Sequence, residues 1–262
     1  MTVVVAFLCS DGAVVAADSM LTSSMGGLPV AHHTGRKVEV LAGQQVFAFA
    51  GDHGQGSRFK IMADGSYGQI AQTNHPIEYP LALSRSLVAQ FQSTGIGNAV
   101  NLNTVVAFEH GNQHHCCVFE GLIQPRLLDA HHFYAALGSG KLSADPFIRF
   151  LVEVFCQAGP PNVREAVFLA AWTVEHAIHT SPGGVAGPMR IAVLERDDTG
   201  HYNAREVPDT EIEEHRQAIE SAAQALRDWR DAIQTGKAAL DVPPPPRGPG
   251  DYEIETGNPI TS

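Results

Sequence analysis

The stretch TVVVAFLCSDGAVVAADS, residues 2–19, decides the fold. Val3 to Leu8 and Ala13 to Ala17 are β-branched or small apolar runs, and Ser10-Asp11-Gly12 between them supplies turn chemistry, so the spacing predicts a β-hairpin. Residues that are apolar at consecutive rather than alternate positions belong to strands covered on both faces. The hairpin therefore predicts a layered interior. Its ends also carry chemistry. Thr2, once Met1 is removed, combines a hydroxyl and a free α-amine in one residue, and an α-amine titrating near ~7.7 to 8.0 can accept the hydroxyl proton. Removal is expected because the residue after Met1 is small. Asp18 ends the second strand directly after Ala16-Ala17, where a carboxylate leaving water needs a cation beside it.

Outward from this hairpin, Thr22 to Gly35 reads as a Gly- and Ser-rich connection, and Lys37 to Leu41 with Val46 to Ala50 as a second hairpin turning at Gly43-Gln44-Gln45. Gly54 to Gln72 has a weak helical pattern, and Ile77 to Phe91 a stronger one with Leu81, Leu87, Val88 and Phe91 on one side. A third hairpin, Asn103 to Phe108 and His115 to Glu120, turns around Gly111-Asn112, and a strand at Tyr134 to Leu137 runs into Gly138-Ser139-Gly140. Ser143 to Phe155 and Val163 to His179 are helical and separated by Gly159-Pro160-Pro161. Met189 to Glu195 and Tyr202 to Val207 form a last hairpin. Strands, two helices, strands, two helices, strands is the order of an α+β fold in which two stacked antiparallel sheets are covered by helix pairs.

Pro208 then leads into Thr210-Glu211-Ile212-Glu213, a capping-box pattern, and Ile212, Ile219, Ala222, Leu226, Trp229 and Ile233 form one apolar stripe up to about Gly236. Pro243 to Pro246 and Arg247-Gly248-Pro249-Gly250 cannot sustain regular hydrogen bonding, so an extended tail is expected. The expected organisation is a domain over 1–207, an amphipathic helix over 208–240 and a tail over 241–262.

With 262 residues, 44% hydrophobic, the chain has enough material for one large core. A net charge of -11 argues against nucleic-acid or anionic-membrane partners, which reward clustered Lys and Arg. Val3 to Leu8 is too short to span a bilayer and has no basic flank, so neither a membrane helix nor a signal peptide is read, and a cytoplasmic location is the default expectation. Cys9, Cys116, Cys117 and Cys156 lack C-x-x-C spacing and read as buried free thiols. His114-His115-Cys116-Cys117 places only two ligands on each face of a strand, His115 with Cys117 and His114 with Cys116, so no metal is expected. Gly51-x-x-Gly54-x-Gly56 and Gly138-x-Gly140 do not match a phosphate loop, and G-x-S-x-G and H-E-x-x-H are absent, so no cofactor is expected.

Taken as a set, Thr2, the GAVVAADS strand with Asp18 sixteen positions after Thr2, the lysine of GRKVEVL, the FAFAGDH segment and the Gly-Ser-Gly at Gly138 to Gly140 resemble a proteasome β-type subunit, an N-terminal nucleophile (Ntn) hydrolase. The resemblance covers roughly the first 200 residues. Met20 stands where that family has an arginine, and HTSPGGVAGPMRIAVL lacks the family's D-x-x-S-G-like segment, leaving Ser181 as the available hydroxyl. SPGGVAGP resembles the bacterial relatives instead, the ancestral β-subunit (Anbu) type or the β-proteobacterial homologue.

The resemblance implies a four-layer αββα sandwich. It implies Thr2 as nucleophile and its amine as base, Lys37 beside Thr2, Asp18 holding Lys37, the Gly51 N–H facing the oxyanion and Ser139 completing the surround of the amine. It also implies identical subunits assembled in a ring or coil around a peptide or unfolded-protein substrate. Singly, Lys37 reads first as a surface lysine at a strand start, Gly51 can be only a strand-to-helix turn glycine and Ser139 only a loop hydroxyl. A silent ring-forming scaffold that keeps Met1, or an amidase for small molecules, shares the same residues.

Overall fold

The computed structural model describes residues 2–25, 28–68, 73–95, 100–181, 184–197 and 199–235. The chain separates into two units, residues 1–217 and 218–262. In the first unit, strands β1 (Val4–Leu8) and β2 (Gly12–Ala17) form the expected hairpin, with Val4 opposite Ala17 and Leu8 opposite Ala13. Every residue of β2 is buried. A second ladder, β3 (Met20–Met25) with β4 (Leu28–Thr34), occupies the stretch read above as a connection. Thr22, His32 and His33 along it show no burial alternation, so its strands carry no period-2 signal for a sequence reading to detect.

Strands β5 (Val38–Leu41) and β6 (Gln45–Gly51) follow, then helices α1 (His53–Ser66) and α2 (Glu78–Ser93). Asp52 caps α1 by accepting the Gln55 N–H at 2.9 Å. The helix is shorter than Gly54 to Gln72, and residues 69–72 lie outside the described set. β7 (Leu102–His110) and β8 (Gln113–Glu120) pair around Gly111-Asn112, both at positive φ, as their turn requires. A further strand not expected from sequence, β9 (Gln124–Leu127), pairs with β8 at the sheet edge. Pro125 obscures it, because proline is tolerated only where a strand needs no inward N–H donor. β10 (Tyr134–Leu137), helices α3 (Lys141–Phe155) and α4 (Val163–Thr180), strands β11 (Arg190–Arg196) and β12 (Tyr202–Glu206) complete the layers. Asn162 and Glu165 form a reciprocal capping box at the start of α4. Helix α5 (Asp209–Gln234) continues from the first unit into the second.

Two five-stranded sheets result, ordered β10-β1-β2-β11-β12 and β5-β6-β7-β8-β9. Between them lie Val4, Ala6, Ala13, Val15 and Ala17 from one sheet and Val46, Ala48, Ala50, Val105, Ala107 and Val118 from the other. Alanine and valine let the sheets approach closely. The opposite face of the second sheet is aromatic: Phe47, Phe49, Phe108 and Phe119 pack on Phe59 and Ala63 of α1 and on Tyr79, Leu83, Leu87 and Phe91 of α2. Each fully buried aromatic or leucine here is worth about 1.5–3 kcal/mol. Helix α4 covers β1, β2 and β11 on the other side, and α3 packs against α4. The architecture is the expected four-layer sandwich. No helix among the described residues is long and apolar enough to cross a membrane.

The period-2 alternation separates the two sides of β8, with Cys116 in the inter-sheet core and Cys117 under the helices. His114 hydrogen-bonds the Tyr202 hydroxyl at 2.7 Å through Nδ1 and the Cys9 carbonyl at 2.9 Å through Nε2, so both its ring nitrogens are occupied. All four cysteines are free, and burial pushes the Cys116 thiol up to about 12. Burial, with His110 and His114 nearby, depresses His115 from 6.5 to about 4. The folded protein therefore refuses a proton that the unfolded chain accepts below about pH 6.5, and the stability His115 contributes above that pH is lost as pH falls toward 4. With His115 only half-buried, the loss is about 1–2 kcal/mol after solvent screening. His115→Gln is expected to flatten the fall in unfolding free energy between pH 7 and pH 4 by that amount, measured by urea denaturation at each pH against wild type.

Candidate active site

Asp18 is the centre from which the site is built. It follows the last residue of β2, and the antiparallel pairing sets that end beside the start of β1: the Asp18 N–H donates to the Val3 carbonyl at 3.3 Å. Its carboxylate then turns inward. Oδ1 accepts the Val3 N–H at 3.0 Å and Lys37 Nζ at 2.8 Å, while Oδ2 accepts Lys37 Nζ at 2.9 Å and the Met20 N–H at 3.1 Å. A longer approach from the Ala186 N–H, 3.5 Å, also reaches Oδ2.

Lys37 comes from the residue before β5, in the other sheet, and its carbonyl accepts the Phe49 N–H at 3.1 Å, which anchors it to β6. The two charged side chains are 1% and 0% exposed. Burial lowers the Lys37 pKa and the Asp18 carboxylate opposes that shift. A paired ammonium with so little water is a local positive charge whose field is weakly screened.

Thr2 immediately precedes Val3, whose N–H the Asp18 carboxylate holds, and is 9% exposed. Its backbone nitrogen lies 3.1 Å from Ser139 Oγ, and its carbonyl accepts the Gly140 N–H at 3.0 Å. Ser139 reaches Thr2 because β10 pairs with β1, Leu137 facing Val4, so the Gly-Ser-Gly loop leaving β10 passes over the residues entering β1. Glycine is required at the crossing. Gly138 has φ 84°, and a Cβ there would lie 2.3 Å from the Thr2 carbonyl oxygen.

Gly51 closes β6, two residues beyond Phe49, with φ 118° and Asn101 O 2.1 Å from where a Cβ would sit. The structure thus brings Thr2, Asp18, Lys37 and Ser139 into one connected network, and puts Gly51 at the end of the strand bonded to Lys37. Ser181 stands instead at the C-cap of α4, its N–H on the Ala177 carbonyl. Met20 contributes through its backbone N–H alone.

Sequence reasoning missed Ala186, whose carbonyl accepts the Ser19 N–H at 3.2 Å and whose N–H faces Asp18. Backbone donors leave no residue signature, and the only hint was the SPGGVAGP segment as a whole. Ser19, fully buried, has a hydroxyl without a hydrogen-bond partner among the described residues. A cleft of about 840 Å³ lies elsewhere, lined by Arg126, His132, Lys141, Asp145 and Arg149 among others. Its lining contains none of the five predicted site residues, and its charges largely pair with one another, as Lys141 and Arg126 do with Glu120.

No protein-family model and no curated protein matches the sequence. Among solved structures, the chain is similar to a Gly-1 mutant of Anbu from Hyphomicrobium sp. strain MC1, with a TM-score of 0.67 and 16% identity over 89% of this chain and 100% of that one. The fold is that of the Anbu subunit. At this identity the likeness concerns architecture: the Anbu fold accounts for the two stacked sheets and their helix layers, as the resemblance of the first strands implied.

Proposed function

We propose that this chain is a threonine amide-bond hydrolase of the proteasome-related type, acting on peptides, with Thr2 as nucleophile after loss of Met1. The observation that carries the reading is the buried Asp18–Lys37 pair tied to the Val3 N–H, one peptide unit from Thr2. A buried ion pair is a weak source of stability, because desolvation offsets most of its attraction. Its placement at the base of Thr2 has a chemical use: the ammonium favours a neutral α-amine and a developing alkoxide.

In the reaction, the Thr2 hydroxyl attacks the carbonyl and passes its proton to the Thr2 amine, which Ser139 orients. The oxyanion is met by the Gly51 N–H, a donor worth about 3–4 kcal/mol in comparable acyl-transfer sites. The amine returns the proton to the leaving nitrogen, giving an acyl ester on Thr2, and then activates the water that hydrolyses it. Assembly of identical subunits in a ring or coil belongs to the same reading and would enclose the threonines.

Intact-mass measurement of the purified native protein is expected to show loss of Met1, and an epoxyketone or β-lactone to label wild type once per chain. Thr2→Ala is expected to abolish the label. Retained Met1 throughout, or unchanged labelling in Thr2→Ala, would overturn the proposal in favour of a non-catalytic scaffold.

A further inference from the structure

Helix α3 carries two apolar stripes where a helix that only covers its own sheet needs one. Ala144, Ile148 and Leu151 face inward and are buried. On the outer side Leu142, Pro146, Phe150 and Val154 follow one another at steps of four, which sets them in a single row along the helix. All four are exposed, Leu142 by 89%, Phe150 by 51% and Val154 by 48%. Three large hydrophobic side chains in water on one row form a patch rather than the scatter usual on a surface. The neighbouring row, one residue back at each step, is wholly charged: Lys141, Asp145, Arg149 and Glu153 alternate in sign.

That alternation identifies the partner. Two copies of a helix related by a two-fold axis across their length lie antiparallel, and the same flank of each then meets its counterpart. Reversing the charged row turns plus-minus-plus-minus into minus-plus-minus-plus, so the row is complementary to itself. In the register that sets Asp145 opposite Arg149 of the second copy, Arg149 stands opposite Asp145 of that copy, and Glu153 opposite its Lys141. The same register interleaves the apolar rows: Pro146 comes beside Pro146 of the second copy, and Phe150 falls between its Pro146 and its Leu142. A parallel pair instead lays the charged flank of each helix along the apolar flank of the other, which desolvates charges without pairing them. Within the single chain these charges are free to be used. Arg149 and Glu153 form no ion pair among the described residues, and Asp145 has one long contact, to Lys141 at 3.9 Å. There is also room, because Asp145, Pro146, Arg149 and Phe150 line the open cleft of about 840 Å³.

We propose that the outer face of α3 is a two-fold self-association surface, on which α3 of a second copy packs antiparallel with the apolar rows interleaved and Asp145 and Arg149 joined in two symmetric ion pairs. This rests on the helix and not on Thr2 chemistry. A ring or coil is built from head-to-tail contacts, whereas this one sets two subunits back to back, so it is a contact of a different kind.

Sedimentation velocity and native mass spectrometry on the full chain test it, with circular dichroism as the check on folding. Leu142→Asp with Phe150→Asp, both at exposed positions, is expected to raise the dissociation constant of the assembly at least about 10-fold while the spectrum stays that of wild type. Arg149→Glu places like charges opposite each other twice and is expected to weaken the assembly less. Combining Arg149→Glu with Asp145→Arg exchanges the signs on both helices and is expected to restore it. Pro146→Cys in a Cys156→Ser background is expected to give a covalent dimer with a short bis-maleimide, joined through the same position of both copies, which a head-to-tail contact does not bring together. A wild-type chain that sediments as a monomer overturns the proposal, as does assembly unchanged by the apolar-row substitutions. Failure of the charge exchange to restore assembly overturns it, and so does absence of the cross-linked dimer. Thr2 labelling is read separately: an intact assembly that takes no label refutes the hydrolase alone, and a labelled monomer refutes the α3 contact alone.

Discussion

Asp18→Asn is expected to abolish covalent labelling of Thr2 and to lower stability by about 3–5 kcal/mol, the cost of leaving one partner of a buried pair uncompensated. The amide keeps the size and can still accept the Val3 N–H, so the loss comes from charge. Lys37, 1% exposed, would retain an ammonium with no counter-charge and would respond by releasing its proton near neutral pH. Lys37→Met leaves the opposite imbalance, an isolated carboxylate that still holds the Val3 and Met20 N–H groups. Each single variant is expected to be unstable.

The double variant Asp18→Asn/Lys37→Met removes both charges. It is expected to recover most of the lost stability, because replacing a buried pair by groups without charge is close to neutral. Labelling is expected to stay absent. Urea denaturation and label incorporation, measured on all four proteins, separate the two roles. If the double variant regains labelling along with stability, the pair serves the fold alone and the proposed role of Lys37 is wrong.

Gly138→Ala is the second large effect expected. A methyl at φ 84° is strained in itself, and here it would meet the Thr2 carbonyl oxygen at 2.3 Å and the Ala50 Cβ at 3.1 Å. Neither contact is the free end of a long side chain. The backbone of Thr2 or the Gly-Ser-Gly loop must move, which parts Ser139 from the Thr2 nitrogen. We expect a stability loss of about 2–4 kcal/mol and a labelling rate reduced at least about 100-fold. Ser139→Ala, which removes the hydroxyl without moving the backbone, is the control. It is expected to slow labelling while leaving the melting temperature near that of wild type. A normal labelling rate in Gly138→Ala would show that the close crossing has no part in placing Thr2.

The hairpins were legible in the sequence because each is a local event. Apolar runs bound a turn of two to five residues, and pairing within β1–β2, β5–β6, β7–β8 and β11–β12 needs no information from elsewhere. The helices were legible from their spacing, α3 and α4 with one clear break at Pro160-Pro161. The β3–β4 ladder was not, since exposed polar side chains along it erase the alternation, and β9 was hidden by a proline that only its edge position permits.

Within the site, the sequence by itself determined which chemical groups were available: a hydroxyl at Thr2, a carboxylate at a buried strand end, the lysine of GRKVEVL and a serine between glycines. Only the tertiary structure decided that they meet. Lys37 is nineteen residues from Asp18 and in the other sheet, and Ser139 is 137 residues from Thr2. Those contacts follow from β10 pairing with β1 and from the two sheets stacking across their alanine- and valine-rich faces. Such pairings close long loops, and they are settled by burial of whole layers rather than by any local preference of the residues involved.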